Sequence, residues 1–376
     1  MGFLNLRLIL FLVFTTTFLG SISGQEKSDY EYERISMHIM MLRHLNNTYS
    51  NDVEWVFKNT PFPERFNNHN LGVRTIALSG DGEDQSPHIT AFVKQINLGK
   101  KMVAKWFNRD KVTGSFNMDL VKERGLYNAS IADANVARAS LRGMNLIEDA
   151  GELLIKNTYL LVNDIKYESK GTNWGISISS KVAGFSVTVT SYLYRLNWTD
   201  SIANIFYSRY YTENGGEDLE KVKAFNNDNN LFTMEYIGKT EAQSSKRHFT
   251  KAEDPSLLLK KVCIQAIDQN IAQLQHEYPD FRIKTPLIDA EPLRAYVGLK
   301  EDITPNSRFE VLERVVDDEG RLSYRRVGII KPLTGRPIWD NRYMADDEDA
   351  DAKLGFTEFE KVSGGDFYPG MLIREI

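Results

Sequence analysis

Apolar positions recur three to four residues apart between Ala132 and Lys156: Val136/Ala137, Ser140/Leu141, Met144, Ile147, Ala150 and Leu154. That period gathers them on one face of a helix. Asp133 sits where a first-turn acid is favoured, and Lys156 falls near the end that prefers cations. Thr158-Tyr-Leu-Leu-Val162 follows at once, an apolar and partly β-branched run with the length of a buried strand. A helix delivering straight into a buried strand is the unit of a layered α/β domain. The plan returns further on. Asp254-Pro-Ser256 starts a helix whose face holds Leu259, Val262/Cys263, Ala266/Ile267, Ile271 and Leu274, and Phe281–Thr285 is a short strand closed by Pro286.

Between these units the pattern changes twice. Upstream, Ile35, Ile39, Leu42 and Leu45, bordered by Met37, Met40 and Met41, predict a helix over 29–45. Residues 61–70 read as a loop, Val73–Leu78 as a strand, and Ser79–Asp84 as a turn. Ile89, Phe92/Val93, Ile96, Val103 and Trp106/Phe107 share a face in a single predicted helix over 87–107, with 117–128 a less regular connection. Downstream, residues 185–194 alternate. Phe185, Val187, Val189 and Leu193 occupy odd positions, with Ser186, Thr188, Thr190, Tyr192 and Tyr194 between them. Strict alternation marks a half-buried antiparallel strand, and Ile205–Tyr211 and Leu231–Ile237 read as its partners.

The segment Pro286–Pro292 reads as a domain boundary. Beyond it, short strands are predicted over 294–299, 308–316, 321–331, 338–344, 357–362 and 371–376, with Asp317-Asp-Glu-Gly320 as a hairpin turn. Short strands joined by tight turns suggest a small barrel. The expected fold class is therefore α/β (α+β). A layered domain with a mixed sheet spans 25–288, with its antiparallel segment over 174–240. A small SH3-like β-barrel spans 289–376.

Composition narrows the function classes. In 376 residues, a net charge of -5 argues against phosphate-dominated nucleic-acid binding, which needs a concentrated basic surface. The N-terminal pattern is the strongest single signal. Arg7 precedes the apolar run Leu8–Phe14, and the small residues Ser21-Ile-Ser-Gly24 precede a polar turn at Gln25. This predicts a signal peptide over 1–24, since the apolar core is short of the roughly 20 residues that span a bilayer. No transmembrane span is expected once it is removed. The one cysteine, Cys263, cannot form an intramolecular disulfide and reads as a core residue, which suits a bacterial envelope better than an animal secretome. Asn46-Asn-Thr48, Asn128-Ala-Ser130 and Asn197-Trp-Thr199 match the glycosylation acceptor pattern, which carries no meaning in such a host.

Catalytic signatures are missing from the sequence. It has no Gly-x-Ser-x-Gly elbow and no His-Glu-x-x-His, and Gly238-Lys-Thr240 lacks the upstream glycine of a phosphate loop. No catalytic residue, metal site or cofactor is expected. Asp81-Gly-Glu-Asp84 with His88 reads as an exposed turn leading into a helix, and Asp346–Asp351 as a solvated loop without the spacing of a calcium site. The candidate binding residues are aromatic: Tyr192, Tyr194, Trp198, Tyr207, Tyr210 and Tyr211, with Phe206 among them. On an exposed sheet face they would form a surface for a partner or a sugar; the competing reading is that a layer of helices covers them.

Phe116-Asn-Met-Asp-Leu-Val-Lys-Glu-Arg-Gly-Leu-Tyr127, Glu148-Asp-Ala-Gly-Glu-Leu-Leu-Ile-Lys-Asn-Thr158 and Ser363-Gly-Gly-Asp-Phe-Tyr-Pro-Gly-Met-Leu-Ile373 resemble a family of uncharacterised exported proteins of Bacteroidetes-type bacteria. That resemblance implies export and no activity. The overall plan is similar to envelope assembly proteins such as the curli secretion lipoprotein and the flagellar assembly protein T, although no lipidated cysteine is present. The expected function is a non-catalytic binding or assembly role in the bacterial envelope, with an envelope protein or a second copy as partner. The alternative is a carboxylate-dependent hydrolase acting on envelope or dietary polymers.

Overall fold

The computed structural model describes residues 35–45, 50–63, 66–78, 84–128, 151–169, 184–247, 255–282, 284–316, 322–343 and 350–376. The signal segment 1–24, the greater part of the helix expected over 132–156, the hairpin turn at 317–320 and most of the acidic loop lie outside them. Residues 151–156 are helical and lead directly into a strand, as the pattern predicts.

The first described element corrects the sequence. Residues 36–44 form a strand, β1 (Ser36–His44), where the spacing predicts a helix. The cause is its position. β1 lies parallel to β2 (Asn67–Asn68), β3 (Thr75–Leu78) and β4 (Thr158–Ser169), and both of its faces are covered. Met40 and Leu42 enter one core, Met37 and Met41 the other. A strand buried on both sides is apolar nearly throughout, so period two disappears and chance i, i+4 pairs imitate a helix. Beyond β4 the sheet turns antiparallel through β5 (Gly184–Leu196) and β6 (Met234–Arg247), which makes it mixed.

Two helical layers cover this sheet. On one side lie α1 (Ser50–Asn59) and α7 (Pro255–Glu277), packed on Met37, Met41, Leu161, Val187, Val189 and Leu193. Cys263 is fully buried there, the core role expected of it, and burial pushes its thiol up to about 12. On the other side lie α2 (Ser86–Gln95), α3 (Leu98–Trp106), α4 (Asp119–Asn128), α5 (Asp200–Ile205) and α6 (Leu219–Asn227). The single helix expected over 87–107 breaks between α2 and α3 at Asn97, whose φ of 51° is the left-handed conformation that asparagine tolerates better than most residues. The segment expected to be irregular, 117–128, contains α4.

Residues 205–211, read as a strand partner of 185–194, are helical instead as far as Tyr210. Thr199 accepts a hydrogen bond from the Ile202 N–H and starts α5, with Asp200 in the first turn. The helix widens into a π-turn over Phe206–Tyr210, closed by Tyr211 N–H donating to the Phe206 carbonyl at 2.9 Å. Phe206, Tyr207, Tyr210 and Tyr211 recur at a helical interval, and the cap settles the choice.

The C-terminal strands close into an antiparallel six-stranded barrel in the order β10-β11-β8-β7-β12-β9. They are β7 (Lys284–Ala290), β8 (Leu293–Ala295), β9 (Phe309–Val316), β10 (Leu322–Pro332), β11 (Thr357–Gly364) and β12 (Leu372–Glu375). Leu287, Phe309, Val311, Ile330, Phe359 and Ile373 fill it. β7 runs across the boundary read at 288/289. Residues 338–343 are not a strand: the Trp339 N–H donates to Thr357 Oγ1, and its carbonyl accepts from Leu299.

α3 approaches the segment before β6 through Gly99, where an added Cβ would lie 2.5 Å from the Phe232 carbonyl oxygen. Backbone cannot yield as a side-chain tip can. Gly99→Ala is therefore expected to cost about 1–3 kcal/mol, read as a lower urea midpoint, while Gly216→Ala, with open space around it, leaves the midpoint unchanged.

Candidate functional site

The six aromatic candidates come together in the core, under the helices. Tyr192 and Tyr194 on β5 are buried and tie that strand to the start of α2. The Tyr192 hydroxyl accepts from the Gln85 N–H at 3.1 Å, and the Tyr194 hydroxyl donates to the Ser86 carbonyl at 2.9 Å. Trp198 lies buried against Phe107, Phe206 and Phe232. Tyr210 is buried and donates to Asp228 Oδ2 at 2.6 Å. Tyr207 and Tyr211, half-buried, donate to Glu152 and Glu213. Burial pushes the Tyr194 and Tyr210 phenols up to about 12, the Asp228 carboxylate adding to the second. The five tyrosines are packing groups with a satisfied hydroxyl each, whereas the buried Trp198 Nε1 has no hydrogen-bond partner among the described residues.

A polar row crosses the sheet from the ends of β1 and β3 to the middle of β4, the side on which ligands of α/β sheets gather. His44 Nε2 lies 2.6 Å from Asp164 Oδ1, with Asp164 only 3% exposed. Lys166 approaches the second oxygen at 3.4 Å. Across the ladder Asp164 is paired with Thr190, whose hydroxyl donates to Glu241 Oε2 at 2.9 Å. Two carboxylates thus flank one threonine from strands two positions apart, about 10 Å of backbone. Each is already held, Asp164 by His44 and Lys166, Glu241 by Thr190. Among the described residues, no group of three or more His, Cys, Asp and Glu could hold a metal ion.

At the other end of β1 sits a buried basic group that no motif signals. Arg124 on α4 donates to Ser36 Oγ at 3.1 Å, to His69 Nδ1 at 3.0 Å and to the Asn68 carbonyl at 3.2 Å, and lies over the Trp106 ring. With Nδ1 accepting, His69 Nε2 donates to the Met102 carbonyl, so the ring is neutral. Burial holds His69 well below its ordinary value, and Arg124 reinforces this. His38, almost wholly buried on the same face of β1, is lowered to about 4 by burial, with Lys105 and Arg74 adding. These groups knit β1 and β2 to α3 and α4. The alternation Ser36, His38, Met40 was the available signal, masked by the methionines on both faces.

A third polar group joins α7 to the barrel. Asp268 is raised to about 6 by burial and faces Lys300 at 3.7 Å, while Glu301 Oε2 accepts from the Gly298 N–H and Asn341 Nδ2. His276 lies 3.7 Å from Asp302 and 3.6 Å from Glu375.

The outer strand β6 is the part of the molecule that offers backbone to a partner. It runs fourteen residues, and among the described residues it pairs with β5 alone. The sequence suggests a strand only to Ile237. The continuation is polar because one face packs on α7 through small residues (Gly238, Thr240, Ala242 and Ser244). Gly238 lies under the Tyr278 hydroxyl, where an added Cβ would be 2.2 Å away, and Asn270 of α7 donates to the Thr240 carbonyl. The other face carries Lys239, Glu241, Gln243 and Ser245, all exposed.

His38 makes acid stability measurable. Its folded pKa is depressed, so its contribution is present above the ordinary value near 6.5 and is lost as pH falls toward 4. Urea midpoints are expected to fall over that window, with about 2–3 kcal/mol of the loss by pH 4.5 due to this ring. His38→Leu is expected to flatten the slope. Asp268, raised by burial, acts in the opposite direction, so the wild-type-minus-variant difference is the quantity to compare.

No family model matches the chain, and no curated protein matches it.

Proposed function

We propose that this chain is an exported, non-catalytic binding or assembly protein of the bacterial envelope, with the free edge of β6 as its contact. The observation that carries the reading is that edge: fourteen residues long, paired on one side only among the described residues, with Tyr236 and Ile237 each 39% exposed. An unpaired strand edge is a row of ready hydrogen-bond donors and acceptors, and strand addition is a recurrent way of joining chains. Export rests on Arg7, the apolar run Leu8–Phe14 and the small residues before Gln25. Among the described residues no helix is long and apolar enough to cross a membrane. A carboxylate-dependent hydrolase is the second reading, favoured by Asp164 and Glu241 on either side of Thr190.

The test is made in the native host. Proline is placed at Ala242 and at Gln243 in separate variants. Successive N–H groups of a strand point to opposite edges, so one variant keeps the β5 ladder and blocks only the free edge. The expected result is a mature chain lacking about 24 residues, recovered from the envelope fraction with a cross-linked partner that the stable proline variant loses. An intact Met1, or cross-links unchanged by the proline, would overturn the reading. Polymer hydrolysis lost in Asp164→Asn and Glu241→Gln would favour the hydrolase.

A further inference from the structure

We infer that the β6 edge takes the β6 edge of a second copy of this chain, antiparallel, about a twofold axis normal to the sheet and passing beside Thr240. The inference rests on the binding reading above and names its partner. A twofold normal to the sheet keeps each side chain on its own face. Directly opposed residues must also share a face, and neighbours along a strand do not. Each such register is therefore centred on a residue facing its own copy, and the charges of β6 rank the choices. Centred on Lys239, two ammonium groups oppose each other; centred on Glu241, two carboxylates do. Centred on Ala242, Lys239 meets Ser245. Centred on Thr240, Lys239 of each chain stands opposite Glu241 of the other, twice across the axis. Unlike charges directly opposed stabilise an antiparallel pair and like charges oppose it.

The two side chains are already placed for this. Lys239 and Glu241 are exposed on the face away from α7. The Lys239 ammonium lies 5.9 Å from the centre of the Tyr192 ring, and Glu241 is oriented by the Thr190 hydroxyl at 2.9 Å. On the opposite face Gly238, Thr240 and Ala242 are small, so two copies of α7 can approach the shared edge without long side chains between them. The register irregularity opposite Leu193/Tyr194 puts Ile237 out of step with the ladder and bounds the regular pairing to Gly238–Ala242 in each chain. The result is one sheet continuous through two molecules.

The experiment uses the full chain purified from the envelope fraction. Light scattering is expected to give twice the monomer mass at high concentration. Lys239→Glu and Glu241→Lys, which place like charges opposite each other, are each expected to weaken the dimer about tenfold. The double swap K239E/E241K restores it. Thr240→Cys is expected to oxidise to a disulfide-linked dimer, Cys263 being buried and out of reach. Cross-linking through Ala242→Cys instead of Thr240→Cys, or single and double charge variants of equal affinity, overturns the register. A chain monomeric at every concentration overturns self-pairing. If that monomer still loses an envelope partner with the edge-blocking proline, the binding reading stands; if it has no edge-dependent partner, both fall.

Discussion

The architecture depends on β1 being buried on both faces. A strand in that position must satisfy its backbone through neighbours on each side and its side chains through a layer above and below. The parallel partners β3 and β4 meet the first requirement. The α2–α6 layer and the α1/α7 layer meet the second. The polar groups that β1 carries inward, Ser36, His38 and His44, then need partners from other elements. Arg124 comes from α4 and Asp164 from β4. Those bonds fix which helices can sit where, because a buried polar group left unpaired costs more than a paired one contributes.

Moving outward from β1, the sheet changes from obligatory burial to accessibility. β4 and β5 are still enclosed on both faces over much of their length. β6 keeps one face against α7 and opens the other. The same small residues that let α7 sit close on β6 leave the strand without bulky guards along its free edge. Its exposed face carries both signs of charge, a common device against indiscriminate edge pairing. Alternating as Lys239 and Glu241, those signs favour the register centred on Thr240 over those centred on Lys239, Glu241 and Ala242. Specificity and protection thus come from the same side chains.

Much of this was legible from patterns alone. The α7 helix, the β4 and β5 strands and the C-terminal barrel follow directly from period 3.6, period 2 and turn spacing. Three things were hidden for physical reasons. β1 lost its alternation because Met37 and Met41 are buried on one face while Met40 and Leu42 are buried on the other. Phe206–Tyr211 carries residues of high strand propensity, and the Thr199 cap with its following acid overrode that preference. β6 beyond Ile237 lacks apolar residues because an outer strand over a close helix needs only small ones. The aromatic cluster was visible as a cluster, but whether helices cover it is a tertiary fact, as is the meeting of Arg124 on α4 with Ser36 of β1 and with His69 after β2.

Residue-resolved amide hydrogen exchange on the chain at concentrations where it is monomeric tests this account most directly. The slowest exchange is expected along β1, protected on both sides. In β6 exchange is expected to alternate, with amides facing β5 slow and those facing outward fast. Uniform protection along β6 in the monomer, or exchange in β1 as fast as in the helix ends, would contradict it.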